Sequence, residues 1–344
     1  MTTLPQSRVH DPMDAPAIRW GILGTGWIAA AFADAVRECT RSTLAVVGSR
    51  DAERAAGFAR DHGVEASVGS YEELVAGDVD VIYVASPHSE HHAHALLALN
   101  AGKPVLVEKA FTRNAAEAAE VVALARTKGL FCMEAMWSRF LPHYDVVRQL
   151  IADGHLGDIR FVAADHGQLL WPDGPRRMAD PALAGGALLD LGIYPVSFAH
   201  MVLGGLTDVK AVGTLTDQGV DANTGIVATG PGGGTAALGT TMAARTPTTA
   251  VVAGSRARIE IEGIFYAPSR TRLVAPDDTE LGRWEDDLDV RHLGLRYEAA
   301  EVARCLAAGT TESALMPLDE TVEIMRVLDE VRAQVGVRFP GEGD

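Results

Sequence analysis

At 344 residues, with 47% hydrophobic and 22% charged residues, the chain has the length and composition of a packed two-domain protein rather than a disordered one. Its 46 acidic residues against 30 basic ones give a formal charge of −16. That balance argues against a nucleic-acid partner, whose phosphates must be neutralised by Lys and Arg, while leaving room for one anionic group in a local pocket.

The segment 1–17 is polar and proline-punctuated, lacks the apolar run of a signal peptide, and reads as a loose solvated tail that includes His10 and Asp11. No later stretch holds about 18 uninterrupted apolar residues, so no membrane partner is expected. Cys39, Cys132 and Cys305 are far apart and show neither metal nor redox spacing. Reduced, mostly buried thiols and a cytoplasmic location are the expectation.

From Ile18 onward, apolar strands alternate with helical segments. Predicted strands are Ile18–Gly24, Thr43–Ser49, Val79–Ser86, Pro104–Glu108 and Leu130–Ala135. Between them lie helical patterns at Ile28–Glu38, Ala52–His62, Glu90–Ala101 and Ala115–Lys128. This is the pattern of a doubly wound parallel sheet, a Rossmann-type α/β domain over 18–136. The remainder, 137–344, reads as an α+β domain. It has helices at His143–Asp153, about Leu189–Leu203, Leu295–Ala308 and Leu318–Val335, a strand at Gly157–His166, and glycine-punctuated β-rich runs between Thr207 and Glu262. The run Gly230–Gly234 lies between strands and is expected to be a hairpin turn, not a phosphate loop.

Gly24-Thr25-Gly26-Trp27-Ile28-Ala29 follows the first strand and opens the first helix. Gly24 allows the tight turn, Gly26 admits a pyrophosphate, and small Ala29 permits close packing, with the phosphates at a helix N-terminus. Where an NAD site places Asp or Glu after the second strand, this chain has Ser49 and Arg50, which can donate hydrogen bonds to a 2′-phosphate. NADP is therefore expected, with NAD as the alternative; Asp51 is read as the cap of the next helix. Lys109, in Glu108-Lys109 at the end of the predicted strand Pro104–Glu108, is a candidate catalytic cation. The histidines His88, His91, His92 and His94 have no accompanying ligand group, and no metal is expected.

Together with GTGWIA, the segments Ser86–Lys109, MEAMWSRFLP (Met133–Pro142), GGALLDLGIYP (Gly185–Pro195) and RYEAAEVARCL (Arg296–Leu306) resemble the glucose–fructose oxidoreductase/inositol dehydrogenase (Gfo/Idh/MocA) family. The MEAMWSRF and DLGIYP parts of these segments resemble its dihydrodiol and D-xylose dehydrogenase branch. The resemblance implies a second domain with an open, mostly antiparallel sheet, used for substrate binding and for forming a homodimer or homotetramer. It implies hydride exchange between nicotinamide and a CH–OH or C=O carbon of a sugar, sugar derivative or cyclic diol.

By the same resemblance, Lys109, Asp190 and Tyr194 are the catalytic set. A free phenol, with a pKa of about 10, is a poor base at neutral pH, and a neighbouring ammonium stabilises the phenolate. Tyr194 is accordingly expected to act as general acid/base, Lys109 as its electrostatic partner, and Asp190 to orient hydroxyls. A spacing of four on a helix puts Asp190 and Tyr194 on one face. Ser86, Pro87, His88, His91, Glu108 and Lys109 are expected on the cofactor side, and Trp137, Arg139, Trp171 and Arg177 on the substrate side. A non-catalytic redox sensor is the rival reading, to which a proton-transfer set would be superfluous. Family members usually have proline after the lysine. Here Ala110 stands there, and because a non-proline cis bond costs about 2.5–4 kcal/mol, a trans Lys109–Ala110 bond is expected.

Overall fold

Strands that are apolar on both faces need cover on both, which a parallel sheet with crossover helices supplies. The computed structural model describes residues 4–288 and 293–342. Its first sheet holds β1 (Arg19–Leu23), β2 (Thr43–Gly48), β3 (Ala66–Val68), β4 (Val81–Val84), β5 (Val105–Glu108) and β6 (Cys132–Ala135). All neighbours run parallel in the order β3-β2-β1-β4-β5-β6, the doubly wound topology. Connecting helices are α1 (Trp27–Cys39), α2 (Ala52–His62), α3 (Tyr71–Val75), α4 (His88–Asn100) and α5 (Ala115–Lys128). Asp51 caps α2 as expected, accepting the Arg54 N–H at 3.1 Å. The edge pieces β3 and α3 are additions to the predicted set. Only three residues long and largely exposed, β3 has no apolar run to betray it.

The second sheet has eight strands in the order β14-β13-β12-β11-β7-β10-β9-β8. These are β7 (Ile159–Gly167), β8 (Thr207–Leu215), β9 (Asp221–Thr229), β10 (Thr235–Thr241), β11 (Ala250–Gly254), β12 (Arg258–Ile261), β13 (Arg270–Val274) and β14 (Glu280–Glu285). Every pairing is antiparallel except β7 with β10. The Gly230–Gly234 segment is the β9–β10 hairpin turn, closed by the Gly230 N–H donating to the Gly234 carbonyl at 2.7 Å. One face of this sheet packs on α7 (Ile193–Leu203), which carries buried residues all round and so belongs to the core. The stretch Pro181–Leu203 is long and apolar enough to cross a membrane by composition, but 89% of its window is buried inside the protein, as in a core helix. The same unit contains α6 (Pro142–Ala152).

Of the described residues, 10–140 and 293–322 form one compact unit, and 4–9, 141–288 and 323–342 the other. This corrects the expected boundaries. The chain returns to the nucleotide-binding unit as α8 (Arg296–Ala308), whose buried Ala299, Ala300, Val302 and Ala303 form an apolar stripe, and the helix packs on α1. The last helix, α9 (Leu318–Val335), runs from the one set of residues into the other.

The expected loose tail is also corrected for residues 4–17. Leu4 and Ala15 are buried, and Arg8 clamps Asp145 with its nearest contact at 2.7 Å. Asp11 caps the single turn Pro12–Asp14 through the Met13 N–H, and Arg304 donates to the His10 and Asp11 carbonyls at 3.4 and 2.9 Å. These partners lie more than a hundred residues away, so local polarity gave no sign of them. Positions 1–3, 289–292 and 343–344 lie outside the described residues.

Candidate functional site

In the nucleotide unit the glycine loop has the shape its residues require. Gly24 adopts φ +112°, and a Cβ there would stand 2.7 Å from the Ala85 carbonyl oxygen, so the crossing of β1 and β4 needs glycine. At Gly26, the N-cap of α1, a Cβ would meet nothing within 4 Å; the approach to the helix N-terminus is open. Ala29 is fully buried against the sheet and Trp27 is 69% exposed beside the loop. No side chain caps α1, whose first N–H groups suit a pyrophosphate, so these residues fit a dinucleotide. After β2, the buried Ser49 hydroxyl accepts the Asp51 N–H at 3.2 Å, and Arg50 is exposed. Arg54, not foreseen from the sequence, reaches back from α2 to donate to the Thr25 carbonyl at 3.4 Å, which brings a second guanidinium to the glycine loop.

The histidine-rich start of α4 is tied to the Glu108-Lys109 corner. His88 Nε2 lies 3.2 Å from the Lys109 carbonyl oxygen. His91 Nδ1 lies 2.9 Å from the Ala110 carbonyl oxygen, and its Nε2 lies 2.7 Å from that of Ser86. His91 is 1% exposed, and burial pushes its pKa down to about 4, so the ring is neutral and donates its one N–H to either carbonyl. His91, expected on the cofactor side, thus staples two loops together. His94 lies 2.9 Å from the Ser86 hydroxyl and His92 pairs with Glu120. Pro87 forms the N-cap of α4.

The Lys109–Ala110 bond is cis, a correction to the trans expectation. Its surroundings are fixed from outside the dipeptide: both carbonyls face histidines, Ala110 is buried, and the Phe111 N–H donates to Glu134 at 3.2 Å. Lys109 itself is half-buried.

Glu108, expected on the cofactor side, is instead buried. It accepts the Tyr83 hydroxyl and, at 3.2 Å, the Lys109 N–H. Facing it from α8 is the fully buried Glu298, whose pKa is held well above the ordinary 4.5 by burial and by the Glu108 charge. A carboxyl whose folded pKa exceeds its unfolded value costs stability as pH rises past the unfolded value. Glu298→Gln should therefore raise the melting temperature by a few degrees, with the gain widening between about pH 5 and pH 8. A gain that stays flat across that range in thermal scans would refute the assignment.

Arg139, expected on the substrate side, is 1% exposed and ion-paired with Glu320 at 2.7 Å. Trp137, two residues earlier in the same turn, is half-buried.

In the second unit, a π-turn at Leu188–Gly192 runs directly into α7. Such turns are frequent at functional sites. The pair Asp190 and Tyr194 does share a face: the Tyr194 ring stacks on Tyr266 at 4.1 Å and 18°, and the Asp190 charge reaches Tyr266 as well. Arg177 grips Asp190 with two contacts, at 3.1 and 3.4 Å. Tyr266, His166 and Gln168 were not foreseen. His166 Nδ1 lies 3.1 Å from the Leu191 carbonyl oxygen and so carries the proton, leaving Nε2 as an acceptor with the Gln168 amide nitrogen at 2.9 Å and the Tyr266 hydroxyl at 3.1 Å. Gln168 Nε2 donates to the same hydroxyl at 3.4 Å. Burial, reinforced by Asp190, pushes the Tyr266 pKa up to about 12, so this phenol stays neutral. Trp171, half-exposed, follows in the loop after β7, joined to Pro172 by a cis bond.

Comparison with known proteins places these features. Residues 18–136 match the oxidoreductase family with an NAD-binding Rossmann fold, and 144–260 match the GFO/IDH/MocA C-terminal domain. Trans-1,2-dihydrobenzene-1,2-diol dehydrogenases of Bos taurus and Homo sapiens are each 38% identical over 94% of this chain and 98% of their own. A crystal structure of a 3-ketoreductase from Actinomadura kijaniata, in complex with NADP and TDP-benzene, is 26% identical with a TM-score of 0.81, covering 93% of this chain and 98% of that one. An aldose–aldose oxidoreductase from Caulobacter crescentus, 24% identical, shares the fold at a TM-score of 0.83, covering 93% and 98%. The non-catalytic sensor reading is set aside. The chain belongs to the Gfo/Idh/MocA family and is an NAD(P)-dependent oxidoreductase.

Proposed function

We propose that this protein is an NADP-preferring dehydrogenase or reductase of cyclic vicinal diols and sugars, with Tyr194 as general acid/base, Lys109 as its cationic partner and Asp190 orienting the substrate hydroxyls. The observation that carries the reading is the stacked Tyr194–Tyr266 pair beside the Arg177–Asp190 ion pair. Aromatic faces accept the apolar face of a ring, and the carboxylate accepts hydrogen bonds from its hydroxyls. The curated relatives named as dihydrobenzenediol dehydrogenases favour the diol within this class. Bound nicotinamide supplies a hydride acceptor or donor. Tyr194 takes the hydroxyl proton as an alcohol is oxidised and returns it when a carbonyl is reduced, while Lys109 stabilises the phenolate. Ser49, Arg50 and Arg54 supply a hydroxyl and two guanidiniums for a 2′-phosphate. The test is a nicotinamide absorbance assay with NADP and NAD separately against cyclic diols, inositols and aldoses; activity confined to substrates without a ring would sink the reading.

A second copy of the chain is the partner that the open sheet face suits. Val212, Phe161 and Val227 are exposed on β8, β7 and β9, and a Cβ at Gly225 or Gly239 would meet nothing. This largely apolar strip, on which Lys210 lies across from Val227 and Asp165 across from Gly239, gives a self-complementary surface for a two-fold dimer. Wild-type protein is expected to sediment as a dimer or tetramer, and V212K/V227K as a monomer that keeps its melting temperature. A wild-type monomer at micromolar concentration would refute it. The three free thiols fit a reducing cytoplasm.

A further inference from the structure

Asp190 and Tyr194 sit at the start of one long buried helical run, in which the π-turn Leu188–Gly192 leads into α7. The first N–H groups of any helix lack partners within it. Here the Leu188 N–H finds Asp221, 33 residues on and the first residue of β9, at 2.7 Å from Oδ2. The Asp221 carboxylate is buried, and the same oxygen accepts the Thr224 hydroxyl at 3.3 Å. Its other oxygen fills the space where a side chain on residue 186 would begin: a Cβ at Gly186 would lie 2.3 Å from Oδ1. Gly186 also has φ +116°, so glycine is required both by conformation and by the carboxylate. The neighbouring strand adds a second attachment, with the Thr240 hydroxyl donating to the Ala187 carbonyl at 3.3 Å.

We propose that Asp221 is a positioning residue for the proton-transfer helix: its carboxylate anchors the first turn through the Leu188 N–H, and Gly186 is the residue that admits it. The inference rests on the reading of Tyr194 and Asp190 given above. A displacement of about 1 Å at a reacting group can cost about a hundredfold in rate, so an anchor two residues from Asp190 has leverage on chemistry that it does not touch. Anions are also favoured at helix N-termini. Burial pushes the Asp221 pKa up to about 7, against the opposing pull of the Leu188 N–H, the Thr224 hydroxyl and the charge of Arg332 on α9. Arg332 is itself held by Asp329 and Glu342, each at 2.8 Å. As pH falls through about 7 the anchor takes up a proton and loses its charge.

Three full-length variants test this, D221A, D221N and G186A, by amide hydrogen exchange without substrate and by steady-state kinetics over pH. In D221A and G186A the amides of 187–194 should exchange at least about tenfold faster, and kcat should fall about 10–100-fold with KM within about threefold. D221N keeps an oxygen to accept the Leu188 N–H, so it should recover most of the protection and of kcat. Unchanged exchange in both D221A and G186A, or a D221N as impaired as D221A, overturns the proposal. If D221A fails to fold, G186A and D221N decide by the same readouts. Should Tyr194→Phe keep full activity while exchange still responds to D221A and G186A, the anchor stands and the role given to Tyr194 falls.

Discussion

Tyr194→Phe is expected to lower kcat by about 10²–10⁴-fold, the usual contribution of a positioned acid or base. At 1.36 kcal/mol per tenfold this is roughly 3–5 kcal/mol of transition-state stabilisation. The substitution removes one oxygen and leaves the ring, so the stack on Tyr266 survives and the melting temperature should stay within a degree or two. Tyr266 is no substitute base. With its pKa pushed up to about 12 by burial and the Asp190 charge, it holds its proton throughout the working range. Lys109→Met should produce a loss of similar size, because the phenolate then forms without its cation. On the proposed pairing of the two groups, the double variant should lose far less than the product of the single losses. Cofactor titration by nicotinamide fluorescence should give Tyr194→Phe an unchanged Kd. A Tyr194→Phe enzyme within threefold of wild-type kcat would remove Tyr194 from the chemistry.

How far such a site can be seen in a sequence depends on how local its causes are. Gly24, Gly26 and Ala29 act within one strand–turn–helix unit, and each occupies the place its spacing implies. Asp51 is equally local: a cap three residues from its donor is legible wherever Asp precedes a helical pattern. The parallel sheet followed from the rhythm of apolar strands and helices, and only the short exposed β3 escaped it. The second unit yielded less. His166, where the predicted strand stops, lies one residue before the end of β7, yet its neighbour Tyr266 is a hundred residues away, in the turn between β12 and β13. Nothing in the run Ile264–Pro268 marks the tyrosine as facing another aromatic.

Other partners share that origin. Arg139 lies in a family-like segment that implies a substrate-side place, and its ion-pair partner Glu320 is nearly two hundred residues on. His91 sits in a helix start rich in histidines. Its role appears only when the Ser86 and Ala110 carbonyls are seen on either side of its ring. The Lys109–Ala110 bond shows a local rule outvoted by its setting. Proline is the usual cause of a cis bond, and here an alanine occupies the same geometry among three external contacts. In each case the residue type was informative about chemistry and silent about the partner.

Cofactor choice is the property that the glycine-loop geometry leaves most open to measurement. Arg50→Ala and Arg54→Ala together are expected to weaken NADP binding by about 10²-fold or more, while NAD binding changes by less than threefold. The asymmetry follows from the ligand, because a 2′-phosphate adds charge that only the guanidiniums meet and NAD lacks that group. Charge-assisted hydrogen bonds contribute about 1.5–3 kcal/mol each, and two exposed arginines sit at the lower end because solvent screens them. The same screening predicts that the proposed NADP preference shrinks as ionic strength rises. The two arginines should not be equal. Arg54 is tethered to the Thr25 carbonyl at 3.4 Å, which holds it over the loop, so its loss should cost more than that of Arg50. Ser49→Asp would act in the opposite sense. A carboxylate at the end of β2 repels the 2′-phosphate and accepts the ribose hydroxyls, so the ratio of kcat/KM for NADP over NAD should fall by more than tenfold. If the double arginine variant binds both dinucleotides as wild type does, the 2′-phosphate is not read at these residues and the NADP preference fails with it.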